Sequence, residues 1–103
     1  MRAFILASSN LICSEIGARS KALRLARNLT QVQLAAMLEV SLSSLRRFEA
    51  NGQGSLDMVV KIAQALHVTQ DLEPLFLPSQ ESIAQLEQWE KASGKALRKR
   101  ASP

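Results

Sequence analysis

Residues 30–52, TQVQLAAMLEVSLSSLRRFEANG, decide how the rest of the chain is read. Thr30 is suited to cap a helix, because its hydroxyl can accept from a first-turn backbone N–H that has no partner within the helix. Behind it, Leu34, Met37 and Leu38 recur at helical spacing across residues 31–38. Ala35 is small where a second helix must cross closely, and Val40 falls in a turn whose corner it can fill. Ser41 is then the cap of a second helix over residues 42–51. On a wheel advancing about 100° per residue, Leu45 and Phe48 share the inward face. Ser43, Arg46, Arg47 and Ala50 fall opposite, with Leu42 and Ser44 on the flanks.

Two short helices joined by a tight turn, with arginines among small residues on the outer face of the second, have the layout of a helix-turn-helix that inserts its second helix into the major groove. Arginine suits bidentate contact with guanine. A solvated basic face would explain two adjacent arginines equally well, so the wider pattern has to decide. T-Q-x-x-L-A followed by V-S-x-S-S-L-x-x-F-E-x-N-G resembles the phage-repressor and Cro family, also called the XRE family, and the similarity runs from about residue 16 to residue 76. The resemblance implies an all-α, five-helix lambda-repressor-like domain that binds DNA. It implies that Gln31 contacts the phosphate backbone, that Ser41, Ser43 and Arg47 sit where the family reads bases, and that Arg46 and Ser44 lie on phosphate or the groove edge. One departure stands out: the family usually has glycine in the turn where this chain has Glu39. If that residue takes a positive φ, glutamate costs about 1 kcal/mol relative to glycine.

The resemblance also implies that Arg24, six residues before Thr30, pairs with Glu49. The wheel supports this independently, because Glu49 lies only partly away from the inward face. A half-buried carboxylate needs a partner, since leaving it alone costs several kcal/mol. The pair is read as structural.

At 103 residues the chain is long enough for one small domain with a modest core. Hydrophobic residues make up 47% and aromatics 4%, so the core has to be aliphatic, which suits packed helices. The net charge is +4 and the pI about 9.8, favouring an anionic partner without selecting one. Residues 31–79 hold five acidic groups and only three basic ones, Arg46, Arg47 and Lys61. Two of those three share one helix, which strengthens the DNA reading. Cys13 is the lone cysteine, so neither an internal disulfide nor a cysteine-held metal is expected. That fits a cytoplasmic protein. The apolar N-terminal stretch is too short to span a membrane.

Outside the central stretch, residues 2–6, RAFIL, read as a short strand that pairs with a second subunit or as an arm packed on its own domain. A first helix is expected from Ser14 to about Asn28, with Arg19, Lys21 and Arg27 on a mostly solvated face. After the loop containing Gln53, another candidate phosphate contact, Ser55 caps a helix over residues 56–66. Its inward stripe is Leu56, Val59, Ile62, Ala63 and Leu66. His67 follows where the family often has glycine, and is read as a helix-end residue. Thr69 or Asp71 would cap a short fifth helix carrying Leu72, Leu75 and Phe76, and repressors of this family often dimerise through this region. A further helix over residues 79–92 carries Ile83, Leu86 and Trp89 at every third position, and these either pack back on the domain or on its dimer mate or serve as the candidate partner-binding residues. The basic tail after Gly94 reads as disordered. The domain plan is therefore an arm or strand at 1–13, the DNA-binding domain at 14–78, and an extra C-terminal helix with its tail at 79–103.

No nucleophile is paired with a base: Cys13 and His67 lie in unrelated segments, and no glycine-rich phosphate loop follows a strand. The expectation is a non-enzymatic, cofactor-free and metal-free repressor that binds an inverted-repeat operator as a homodimer. SLSSLRRFEANGQGSLDMVVKIAQAL, then DLEPLF and a short tail with a tryptophan, resembles HipB-type antitoxins, which repress their own operon and hold a HipA-type kinase toxin. The alternatives are a stand-alone or phage-type repressor and a protein-interaction module that has lost DNA binding.

Overall fold

The computed structural model describes residues 4–78 and 87–94, and the chain divides into two compact units, Met1–Leu72 and Glu73–Pro103. The first unit is built from α1 (Ser9–Ala26), α2 (Gln31–Leu38), α3 (Leu42–Asn51) and α4 (Leu56–Ala65), followed by a 3-10 turn at Thr69–Asp71. No strand occurs among the described residues. The fold is all-α.

Local sequence sets three of the four helix starts as expected. Thr30 accepts from the Gln33 backbone N–H at 3.0 Å, and the Gln33 side chain accepts from the Thr30 N–H at 2.8 Å, closing a capping box. Ser41 accepts from the Ser44 N–H, and Ser55 from the Met58 N–H, each at 3.0 Å. The first helix departs from expectation. It begins at Ser9 rather than Ser14, because Ser8 is in extended conformation and accepts from the Leu11 N–H at 3.2 Å. The polar residues that break the apolar N-terminal run are thus the cap of the helix.

The N-terminal strand is not formed by the described residues. Phe4 opens a turn in which the Ala7 N–H donates to its carbonyl at 3.1 Å. The Phe4 ring lies 5.0 Å beneath the Arg19 guanidinium, which also donates to Glu15 at 3.0 Å. Arg19 is therefore a clip for the arm. The fifth helical element is a single 3-10 turn at Thr69–Asp71, with no side-chain cap, and Leu72, Leu75 and Phe76 follow in turns. The short interval before Pro74 and Pro78 leaves too few residues to offset the cost of starting an α-helix.

The core joins all four helices. Leu34, Leu45 and Leu66 are its most deeply buried large side chains, and Phe48 and Ile62 pack with them. Burying each such side chain contributes about 1.5–3 kcal/mol. Val40 packs against this cluster from the turn. On α4 the inward stripe is corrected at its start: Leu56 is 71% exposed and Met58 is buried. Met58 lies one turn before Ile62 on the same face of α4 and packs with it in the core cluster, whereas Leu56 points away from that face.

Three helix ends are closed by non-glycine residues in left-handed conformation: Asn28 (φ 60), Glu39 (φ 59) and His67 (φ 61). Glu39 is exposed and makes no side-chain hydrogen bond that would offset its cost. Replacing it with glycine removes about 1 kcal/mol of backbone strain, partly offset by the freedom glycine gains when unfolded. Glu39→Gly is expected to raise the thermal midpoint, by about 0.5 kcal/mol of stability or more. A midpoint unchanged or lowered would show that the turn carries no such strain.

The second unit contains Glu73–Pro78, where the Leu77 N–H donates to the Pro74 carbonyl at 3.1 Å. It also contains a helical segment at 87–94 that widens into a π-helical turn at Glu90–Gly94. Trp89 is half-buried in that segment. Ile83 and Leu86 lie outside the described residues.

Candidate nucleic-acid interface

The geometry of the site begins with a buried carboxylate. Glu49 accepts from Arg24 Nε at 2.7 Å on one oxygen and from Arg24 Nη2 at 3.0 Å on the other, a fork-on-fork pair with both side chains nearly inaccessible. The third Arg24 nitrogen, Nη1, donates to the Leu29 carbonyl at 2.7 Å. One guanidinium therefore ties α1 to the recognition helix α3 and to the loop before α2. Gln31 joins the same network: its Nε2 donates to Glu49 Oε1 at 2.9 Å. One amide hydrogen of Gln31 is committed to this contact and one remains.

With Glu49, Leu45 and Phe48 facing inward, α3 turns its other side to solvent. Ser43, Arg46, Arg47 and Ala50 are exposed, and Leu42 and Ser44 are half-buried. The arginines divide sharply by partner. Arg19 holds Glu15 and Arg24 holds Glu49. Arg27 donates from Nε at 3.2 Å and from Nη2 at 3.0 Å to the carbonyl of Leu66, the residue that caps the C-terminus of α4. Arg46 and Arg47 have no acceptor or carboxylate partner among the described residues. Lys61, the remaining basic group of the middle segment, is paired with Asp57 at 3.3 Å.

The serines differ in what they offer. Ser41 Oγ accepts from the Ser44 N–H and donates to Ser44 Oγ at 2.8 Å, with Ser43 Oγ 3.3 Å away. Its hydroxyl is spent on the cap, so donors directed at a ligand come from Ser43 and Ser44. Beyond the helix, Asn51 Oδ1 accepts from the Gln53 N–H at 3.0 Å. The Gln53 side chain, Ser44, Arg47 and Lys61 line one shallow cleft between α3 and the start of α4. Arg46 lies outside that cleft. The structure thus brings Ser44, Arg47 and Gln53 together, leaves Ser43 and Arg46 on the open face, and draws Gln31 toward Glu49.

Two features escaped the sequence reading. Arg27 is exposed, as expected of a solvated face, and in addition caps the C-terminus of α4, where a positive charge is favoured by the helix dipole. Gly17, which carried no role, is buried where α1 crosses α3: a Cβ there would overlap the Phe48 carbonyl oxygen and lie 3.0 Å from the Gly52 nitrogen. A glycine in the middle of a helix was the available signal, since that placement is costly without a packing reason.

In comparison with known proteins, residues 21–70 match the helix-turn-helix family model, from the second half of α1 to the 3-10 turn. No curated protein matches the chain. Among the described residues, no helix is long and apolar enough to cross a membrane.

Proposed function

We propose, from the match of residues 21–70 to the helix-turn-helix family model and from the resemblance of the sequence to the XRE family, that the chain is a sequence-specific transcriptional repressor acting as a homodimer on an inverted-repeat operator. The observation that carries this reading is the contrast among the described arginines. Arg19, Arg24 and Arg27 are all engaged within the protein, whereas Arg46 and Arg47 stand side by side, exposed and unpartnered, on the outer face of α3. Two free guanidinium groups in an otherwise acidic middle segment need an anionic or acceptor-rich partner. In the proposed complex Arg47 and Ser43 contact base edges. Arg46, Ser44, Gln53 and the remaining amide hydrogen of Gln31 hold the backbone, with Ser41 ordering the start of the helix. Two copies would place their α3 helices in successive major grooves about 34 Å apart, and repression would follow from blocking a promoter.

The test is an electrophoretic shift on the DNA upstream of the protein's own gene, at two salt concentrations. Arg47→Ala is expected to cost about 1–3 kcal/mol on that site and to relax the preference at one base pair. Equal loss on this site and on random duplex would remove Arg47 from the base-reading set, because phosphate contacts carry no direct sequence information.

The resemblance to HipB-type antitoxins supports a more specific proposal: the second unit, through Trp89 with Leu86 and Ile83, anchors a HipA-type kinase toxin or another toxin-complex subunit. A lone tryptophan beyond the DNA-binding domain suits an interface anchor. Co-expression with the product of the neighbouring gene, followed by co-purification of wild type but not of Trp89→Ala, is the expected result. Equal recovery with both chains would set the anchor role aside.

A further inference from the structure

We propose that Asn51–Gly52 is a self-modification site which the fold keeps closed, so that conversion marks chains that have opened. It is the one Asn-Gly pair in the sequence, and the other two asparagines, Asn10 and Asn28, are each followed by leucine. In such a pair the backbone nitrogen of the glycine can attack Cγ of the asparagine. A nitrogen–carbon bond forms, ammonia leaves, and a five-membered cyclic imide remains. Water then opens the imide at one carbonyl or the other, giving aspartate or isoaspartate. The step needs no oxidant and no partner beyond water, and glycine presents no side chain to hinder the approach.

Three features of the fold hold this reaction off. The Gly52 N–H donates to the Phe48 carbonyl at 2.7 Å, so the attacking nitrogen is engaged. The Asn51 carboxamide is turned toward Gln53, whose N–H it accepts at 3.0 Å. Asn51 is also the last residue of α3, in helical conformation. All three are released together when the last turn of α3 opens, and local opening of this kind is governed by its own free energy.

The same geometry makes the isoaspartate product incompatible with the fold. Gly52 (φ 76) is pressed against the main chain of Cys13 in α1, where even one added Cβ would overlap the Cys13 carbonyl. Isoaspartate lengthens the main chain by a methylene at this contact. Either product also adds a carboxylate at the negative end of the α3 dipole, two residues before Gln53 of the candidate interface. Only that last effect rests on the DNA-binding proposal.

The experiment follows the mass of the peptide spanning Asn51 in the full-length protein, held in mildly alkaline buffer with and without guanidinium chloride. The unfolded chain is expected to gain one mass unit at this peptide at least about tenfold faster than the folded chain. After removal of denaturant, the isoaspartate fraction is expected to show no cooperative melt, while Asn51→Gln stays unmodified at this site and melts as a folded protein. Equal rates in the folded and unfolded states would overturn the gating. Refolding of the isoaspartate chain with an unchanged melting temperature would overturn the incompatibility. Mass gain in Asn51→Gln at the wild-type rate would place the reaction elsewhere. None of these readouts requires DNA binding, so they stand or fall apart from the repressor reading.

Discussion

Glu49→Ala is expected to destabilise the first unit by about 3–5 kcal/mol, enough to lower the melting temperature by more than about 12 °C in a domain of this size. The carboxylate is 2% exposed and its arginine partner 6%. Removal strands a guanidinium that has given up its water and retains only the Leu29 carbonyl at 2.7 Å. The Gln31 amide loses its acceptor as well. The net worth of the pair is a separate quantity from the cost of breaking it. Replacing both members together, as Arg24→Met with Glu49→Leu, should recover most of the loss, because an apolar pair needs no hydration. Thermal melts of the single and double variants check this. A Glu49→Ala protein that melts with wild type would show that the pair does not join α1 to α3 in solution.

Gly17→Ala offers a test in which the sign decides. In an exposed helix interior, alanine is more stable than glycine by about 1 kcal/mol. At Gly17 the added methyl overlaps the Phe48 carbonyl oxygen and comes within 3.2 Å of the Glu49 carbonyl oxygen. Both contacts are main-chain atoms of α3, which cannot rotate away as a side chain would. The helices must move apart, and overpacking of this kind costs about 1–3 kcal/mol, occasionally more. The expected net result is a loss of stability, with a further loss of DNA affinity because α3 is displaced relative to α2. A gain in melting temperature would mean that the two helices do not pass as closely as described.

The parts of the molecule that were legible in the sequence are those set by neighbours within one turn or by a repeating face. Thr30, Ser41 and Ser55 are caps because of what the next three residues offer, and Leu34, Leu38, Leu45 and Phe48 are core because of their spacing. The outer face of α3 followed from the same wheel. What could not be read depends on how distant segments meet. Gly17 matters because α1 crosses α3 there, Arg27 because the end of α1 reaches the end of α4, and Gln31 because Glu49 lies beneath it. The start of α1 differs from the expected Ser14 for a different reason: Ser8, a polar residue following an apolar run, is itself a cap. The Arg24–Glu49 contact was anticipated through both the resemblance and the wheel, but its bidentate form and the added Gln31 contact are properties of the folded chain.

The most direct measurement of the central claim is selection of duplex DNA from a random pool by the full-length protein, followed by affinities for the selected and a scrambled duplex at one physiological salt concentration. The account predicts an inverted-repeat consensus bound at least about 10³-fold more tightly than the scrambled duplex, with Arg46→Ala/Arg47→Ala abolishing the enrichment while leaving the melting temperature unchanged. Failure of any sequence to enrich, or equal affinity for selected and scrambled duplexes, would contradict it.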